Sequence, residues 1–206
     1  MSIEELLKKR KQIKFYDNNK IPEKSLIESI IKKTFELVPS KQNLMPYKIH
    51  ILGPDKKDIK QEFYNIVKLQ TGGAGNFNVT FAPYCLIFTT RLVTNPNKSV
   101  SESIKKGCPF AVCDPINYNK MTNGTSIEVG MFAKVLTLLC IENNIDVSYT
   151  LCFPSWQQNK EKWKKLNFIN DIVLFSMQLG YKSTIGNNKK DIYETKPNID
   201  EVINWL

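Results

Sequence analysis

Leu26, Ile27, Ile30, Ile31, Thr34, Phe35 and Val38 recur every three to four residues between Ile21 and Pro39. That spacing paints one face of an amphipathic helix. Pro22 suits its first turn and Pro39 closes it. The same period places Ile3, Leu6, Leu7 and Arg10 on one face of a helix over residues 2 to 11. Ile59, Phe63, Ile66 and Val67 predict another over 55 to 70. YKIHIL, 47 to 52, reads as a strand, and PYCLIFTTR, 83 to 91, is a continuous apolar run expected of a strand buried on both faces. SIEVGMFAKVLTLLCIENN, from Ser126, is apolar nearly all round, which predicts a central helix, either the core of a monomer or a partner interface. An extended stretch at 146 to 152, a short exposed helix in QQNKEKWKKL, a strand DIVLFSMQLGY and a polar tail with a last short helix complete the pattern. Residues 91 to 123 contain three prolines and no clear period, so they are predicted irregular.

Helices and strands alternate here without the repeated strand–helix units of a doubly wound sheet. The pattern predicts an α+β fold in one domain, 1 to 206, with a sheet flanked by helices. At 206 residues the chain is long enough to bury a core without disulfide staples. An apolar share of 42% against a charged share of 24% is ordinary for a globular protein.

Charge changes the picture more. Lys and Arg number 29 and Asp and Glu 20, giving +9, a field that attracts phosphates and other anions. The densest part is KKRKQIK, 8 to 14, where Arg10 offers a planar fork and the lysines point charges. Taken alone, a solvated basic helix end that meets the helix dipole accounts for that cluster. The five cysteines, Cys85, Cys108, Cys113, Cys140 and Cys152, form no CxxC pair, and reduced, mostly buried thiols in a cytoplasmic protein are expected. His50 is the sole histidine, so neither a zinc site nor a Ser-His-Asp set is expected. TGGAG, 71 to 75, lacks the Gly-Lys-Ser/Thr ending of a phosphate loop and reads as a mobile loop. No run approaches the length of a membrane span.

One stretch remains unexplained by pattern alone. PSKQNLMPY, 39 to 47, sets short hydrogen-bonding side chains beside an aromatic between a helix and a strand. It is either a well-made turn or the rim of a site for a flat polar ligand. Taken with RKQIKFY at 10 to 16 and the proline-led helix between them, it resembles the opening of the flavin-dependent nitroreductase family. That family begins with a basic R-R-S-x-R/K-x-F segment and continues to P-S-x-x-N-x-Q-P-W before a strand. EVGMFAKVLTLLCIENNID is similar to the family's central dimer helix, SYTLCF to the segment passing the flavin ring, and LGYK with KPNIDEVINW to its last strand and tail. Gln12 stands in place of the family's serine, Met45 of its glutamine and Tyr47 of its tryptophan, and Leu151-Cys152 lacks the Glu-Gly of some members.

The resemblance implies a nitroreductase-like three-layer sandwich, a mainly antiparallel sheet flanked by helices, in an obligate homodimer. It implies FMN at the interface, NAD(P)H as electron donor, and a small-molecule acceptor such as a nitroaromatic, quinone or enone. Arg10, Lys11 and Gln12 match positions that hold the phosphate and ribityl chain, and Lys14 a cation at the pyrimidine edge of the ring. Pro39, Ser40, Lys41 and Asn43 match positions against the flavin of the neighbouring subunit. Leu151 and Cys152 match the segment whose backbone N–H reaches flavin N5, and Lys196 a tail cation for the phosphate. Residues 91 to 123 would form the lid, and the tail from 182 to 206 would be exchanged with the partner subunit. No side chain need act as acid, base or nucleophile, because the cofactor carries the hard step. Other flavin reactions on this fold (dehalogenation, flavin destruction, ring oxidation) stay open, as does a basic module gripping nucleic acid or a phosphorylated ligand.

Overall fold

The computed structural model describes residues 2–69, 78–120, 122–151, 154–184 and 197–204. Helix α1, Ile3–Lys9, starts from a capping box: Glu5 N donates to Ser2 Oγ at 3.2 Å and Ser2 N to Glu5 Oε2 at 2.6 Å. It ends at Arg10, whose backbone is extended. Helix α2, Lys24–Leu37, stops one residue short of Val38 because a residue ahead of proline avoids helical geometry. It begins two residues after Pro22, whose carbonyl accepts from the Tyr84 hydroxyl at 3.1 Å.

Strand β1 (Tyr47–Leu52), helix α3 (Lys57–Leu69) and strand β2 (Tyr84–Thr90) follow as the pattern predicts. Helix α4, Lys98–Lys105, was not expected. It lies in the stretch read as irregular, where Asn97 caps it by accepting from Val100 N at 3.1 Å. Helix α5, Thr122–Glu142, begins four residues ahead of its apolar run. Strand β3 (Asp146–Thr150), helix α6 (Trp156–Trp163) and strand β4 (Val173–Gly180) complete the frame, and a single helical turn, Ile199–Glu201, lies in the tail.

The four strands form one antiparallel sheet in the order β1-β2-β4-β3. β2 is buried along its whole length, and its side chains alternate between two cores. Tyr84, Leu86 and Phe88 pack with Ile27 and Ile30 of α2 and with Val129, Phe132 and Leu136 of α5. Cys85 and Ile87 face Phe63, Ile66 and Val67 of α3 and Trp163 of α6. The result is three layers, helices on both faces of an antiparallel sheet, as expected of the α+β reading. α5 is long and apolar enough to cross a membrane by composition, but it packs on this sheet as the main element of one core.

Toward β3, the α3-side face of the sheet turns polar. The Tyr16 hydroxyl meets Ser148 Oγ at 2.9 Å and donates to Gln178 O at 3.0 Å. Gln178 Oε1 accepts from Ser148 Oγ at 3.1 Å, and its Nε2 donates to Ser176 Oγ at 3.0 Å. All four residues are buried, and each hydrogen bond replaces water that burial removed. With Ile13 and Tyr16 packed on Val79 and Ala82, this network fixes the segment after α1 onto the sheet.

Candidate functional site

The cationic segment rides on that anchor. Ile13 and Tyr16 point inward, while Lys11 and Lys14 are exposed and Arg10 is half-buried. Among the described residues, Arg10 and Lys11 take part in no ion pair. Gln12 reaches sideways to β3. Its Nε2 donates to Tyr149 O at 2.9 Å, and its Oε1 accepts from Tyr149 N at 3.3 Å. The sequence-predicted cations and the end of β3 are thereby brought together. Leu151, just past β3, is 66% exposed. Cys152 and Lys196 lie outside the described residues.

The second group of expected residues is built on the loop between α2 and β1. Lys41–Asn43 form one helical turn, and Gln42, Asn43 and Met45 have φ of 54°, 55° and 45°. Left-handed backbone at residues other than glycine costs about 1–3 kcal/mol each and persists only where the surroundings over-determine it. Here they do. Glu128 of α5 accepts from Ser40 Oγ at 2.6 Å and from Lys41 N at 3.2 Å. Ser40 Oγ in turn accepts from Met45 N at 2.9 Å. Arg91 Nη2 donates to Leu44 O at 2.6 Å and to Met45 O at 2.8 Å, with Nε on Met45 O at 3.0 Å. Asn97 Nδ2 donates to Gln42 O at 2.7 Å. Leu44 is buried against Val93 and Val100.

The loop is therefore a braced rim, and the side chains of Lys41, Gln42 and Asn43 are left in solvent. The expected lid supplies the bracing: Arg91, Val93, Asn97 and Val100 all belong to it. A cavity of about 440 Å³ within it is walled by Ile104, Phe110 and Cys113, and the last two pack on the Leu44 cluster. Cys108 is exposed and Cys113 half-buried, so the thiols are less uniformly buried than expected. Cys85 and Cys140 are buried, and burial pushes the Cys85 thiol up to about 12. His50 is half-buried in β1 beside Thr89 Oγ1 at 3.1 Å, with burial holding its pKa below the usual value.

Glu128 and Arg91, which brace the loop, are residues that pattern reading missed. Both carry a signal. Glu128 is an acid inside a helix otherwise apolar around it, and a carboxylate so placed needs donors. Arg91 directly follows a strand buried along its whole length, at the point where the chain enters the irregular stretch.

The two groups hang from one helix at different heights. Glu128 holds the loop, and Thr137 bonds the Tyr149 hydroxyl beside the Gln12 contact. They are nine residues apart on α5, roughly 13–14 Å at a rise of about 1.5 Å per residue. Between and around them runs an outward stripe, Ile127, Gly130, Met131, Lys134 and Leu138, that the chain leaves exposed or half-buried. Ile127 is 67% exposed, and space is open where a Cβ would stand on Gly130.

No protein-family model matches the chain, and no curated protein does. Solved structures match over its whole length. A Staphylococcus epidermidis protein, provisionally assigned as an NAD(P)H:FMN oxidoreductase, superposes with a TM-score of 0.74 at 16% identity, covering 100% of this chain and 96% of its own. An Exiguobacterium sibiricum protein, provisionally assigned as a nitroreductase and solved in complex with FMN, gives 0.67 at 14%, covering 100% and 98%. A nitroreductase family protein of Streptococcus pneumoniae gives 0.65 at 18%, covering 100% of both chains. The chain has the nitroreductase fold.

Proposed function

We propose that the chain is a flavin oxidoreductase that binds FMN between two copies of itself and uses NAD(P)H to reduce a small acceptor such as a nitroaromatic, quinone or enone. The observation that carries this reading is the division of the site on α5. One copy alone holds the cationic segment and the braced loop nine residues apart. A two-fold axis near the midpoint of that interval sets the loop of one copy beside the cations of the other, and the self-complementary contact it needs is the outward stripe of α5. The Staphylococcus and Exiguobacterium proteins, on the same fold, are described with FMN.

The residues present fit FMN by their chemistry. Arg10 and Lys11, outside the described ion pairs, would hold the phosphate, the arginine through its fork. Lys14 would set a positive charge at the pyrimidine edge, where the ring gathers negative charge. The backbone N–H beyond β3, at Leu151 or Cys152, would orient the reacting edge. When bound, FMN supplies two-electron hydride chemistry through N5 of its ring, so no acid or base of the chain is required. The partner's loop, Pro39 to Asn43, would cover the ring and exclude water. Ser40 acts by shape, since its hydroxyl is already engaged by Glu128 and Met45 N. Lys196 would add a cation from the tail.

In this reading the tail seats on a second copy. β1 is an edge strand, and a groove of about 960 Å³ runs between it and α2, lined by Ile31, Phe35 and Ile51 and rimmed by Lys24, Lys32 and Lys56. Ile199, Val202 and Ile203 of the tail are exposed, next to Asp200 and Glu201 in sequence. Apolar groups match across that pairing, while Lys24 and Lys56 of the rim already pair with Glu28 and Asp55.

The absorption spectrum of the purified protein tests the reading: flavin bands are expected as isolated or after FMN is added and excess removed. Protein that stays colourless overturns it. Arg10→Glu is expected to weaken FMN affinity by about tenfold or more, read by titration, since one charge-assisted contact is worth about 1.5–3 kcal/mol.

A further inference from the structure

Gln12 precedes a residue that is 3% exposed and follows the half-buried Arg10 and the exposed Lys11, so its side chain decides where the cationic turn sits. That side chain makes two bonds, both to the backbone of Tyr149. β3 is the outer strand of the sheet, with β4 on one side only. In an antiparallel pair, alternate residues turn N–H and C=O away from the neighbour. Tyr149, opposite Met177, is such a residue, because Gln12 receives both groups. A primary amide offers one donor and one acceptor at the spacing of a peptide unit. Gln12 therefore stands in for one residue of a further strand.

We propose that Gln12 is a positioning residue, a clasp that ties the segment carrying Arg10, Lys11 and Lys14 to β3 and so sets the backbone at Leu151, rather than a ligand of the phosphate. The inference rests on the flavin reading for its consequence, while the clasp itself stands on the hydrogen bonds. Arg10 lies two residues before Gln12, and Leu151 two residues after Tyr149. One side chain thus fixes the distance between the phosphate-binding cations and the backbone expected beside N5. Ile13 and Tyr16 hold the segment from the other direction, so loss of the clasp frees the turn without unpacking the core. The clasp also occupies polar groups on an exposed sheet edge, which would otherwise invite pairing with another strand.

The test uses Gln12→Ala and Gln12→Ser in the full chain. Serine can still touch a phosphate but cannot reach Tyr149. In flavin-free protein, hydrogen exchange at the Tyr149 amide should speed up by about tenfold or more in both variants, with Phe88 in β2 unchanged. At saturating FMN, the absorption bands of the bound flavin should shift equally in both variants, because the ring environment at Leu151 has moved. Unchanged Tyr149 exchange overturns the clasp. Restoration of wild-type affinity and band position by Gln12→Ser overturns the positioning role and returns Gln12 to the phosphate. Wild-type protein that takes up no flavin sinks the functional reading by itself, and the exchange measurement still judges the clasp.

Discussion

Three residues in left-handed backbone, Gln42, Asn43 and Met45, hold the key local fact about this protein. Only one of them, Asn43, is a type that adopts such backbone readily. The loop keeps its shape because Glu128 and Arg91 grip it, and those grips are hydrogen bonds to a charged group, each worth about 1.5–3 kcal/mol. Glu128→Ala is therefore expected to lower stability by about 1.5–3 kcal/mol, read from the urea midpoint. Ser40→Ala should then cost far less in that background than in the wild type, because the two side chains share one bond. Strict additivity of the two substitutions would refute the bracing. The motif PSKQN was legible in the sequence; the reason its serine is there was not. Ser40 and Glu128 stand 88 residues apart, and no local pattern links them.

At the scale of elements, α3 and the entry to β2 are joined by one buried lysine. Lys60 is 3% exposed, and its Nζ donates to Ala82 O at 2.7 Å and Pro83 O at 2.8 Å. Burial draws its pKa from 10.5 down to about 8. Between these two values the unfolded chain keeps a proton that the folded chain has lost, so this group's contribution to stability rises with pH across that window. The stability of the wild type relative to Lys60→Met should climb between pH 8 and 10.5 by up to about 3 kcal/mol, at about 1.36 kcal/mol per unit. Taking the difference from the variant cancels the buried tyrosines and cysteines, which titrate nearby. A flat difference would show that Lys60 keeps its ordinary pKa. Most elements could be read from their periods, β2 and α5 above all, because β2 is buried along its whole length and α5 is the main element of one core, which leaves long apolar runs in both. α4 was missed because its apolar face is short. Val100 and Ile104 are its apolar residues, one turn apart, and Asn97 had to be recognised as a cap.

At the scale of the whole molecule, the proposed function divides the site between two copies of the chain. Ile127, at 67% exposed, lies on the stripe of α5 that the described residues leave exposed or half-buried. Ile127→Glu should leave the fold of one copy intact, since the side chain already sits in solvent. It should halve the mass measured by light scattering and release FMN in the same step. A variant that stays dimeric, or a monomer that keeps its flavin, would contradict the division of the site. The sequence alone determined the order of the strands and of the helices other than α4, the cationic segment, the polar loop and the resemblance that ties them together. These depend on spacing along the chain, which local geometry translates directly into faces and turns. Only the tertiary structure decided that Gln12 spends its amide on Tyr149 and that Ser40 belongs to Glu128, and it placed the polar loop and the cationic segment at different heights on α5. Those pairings join residues up to 137 positions apart. Packing chooses such contacts from many that the same residues would allow, so no period or motif can announce them.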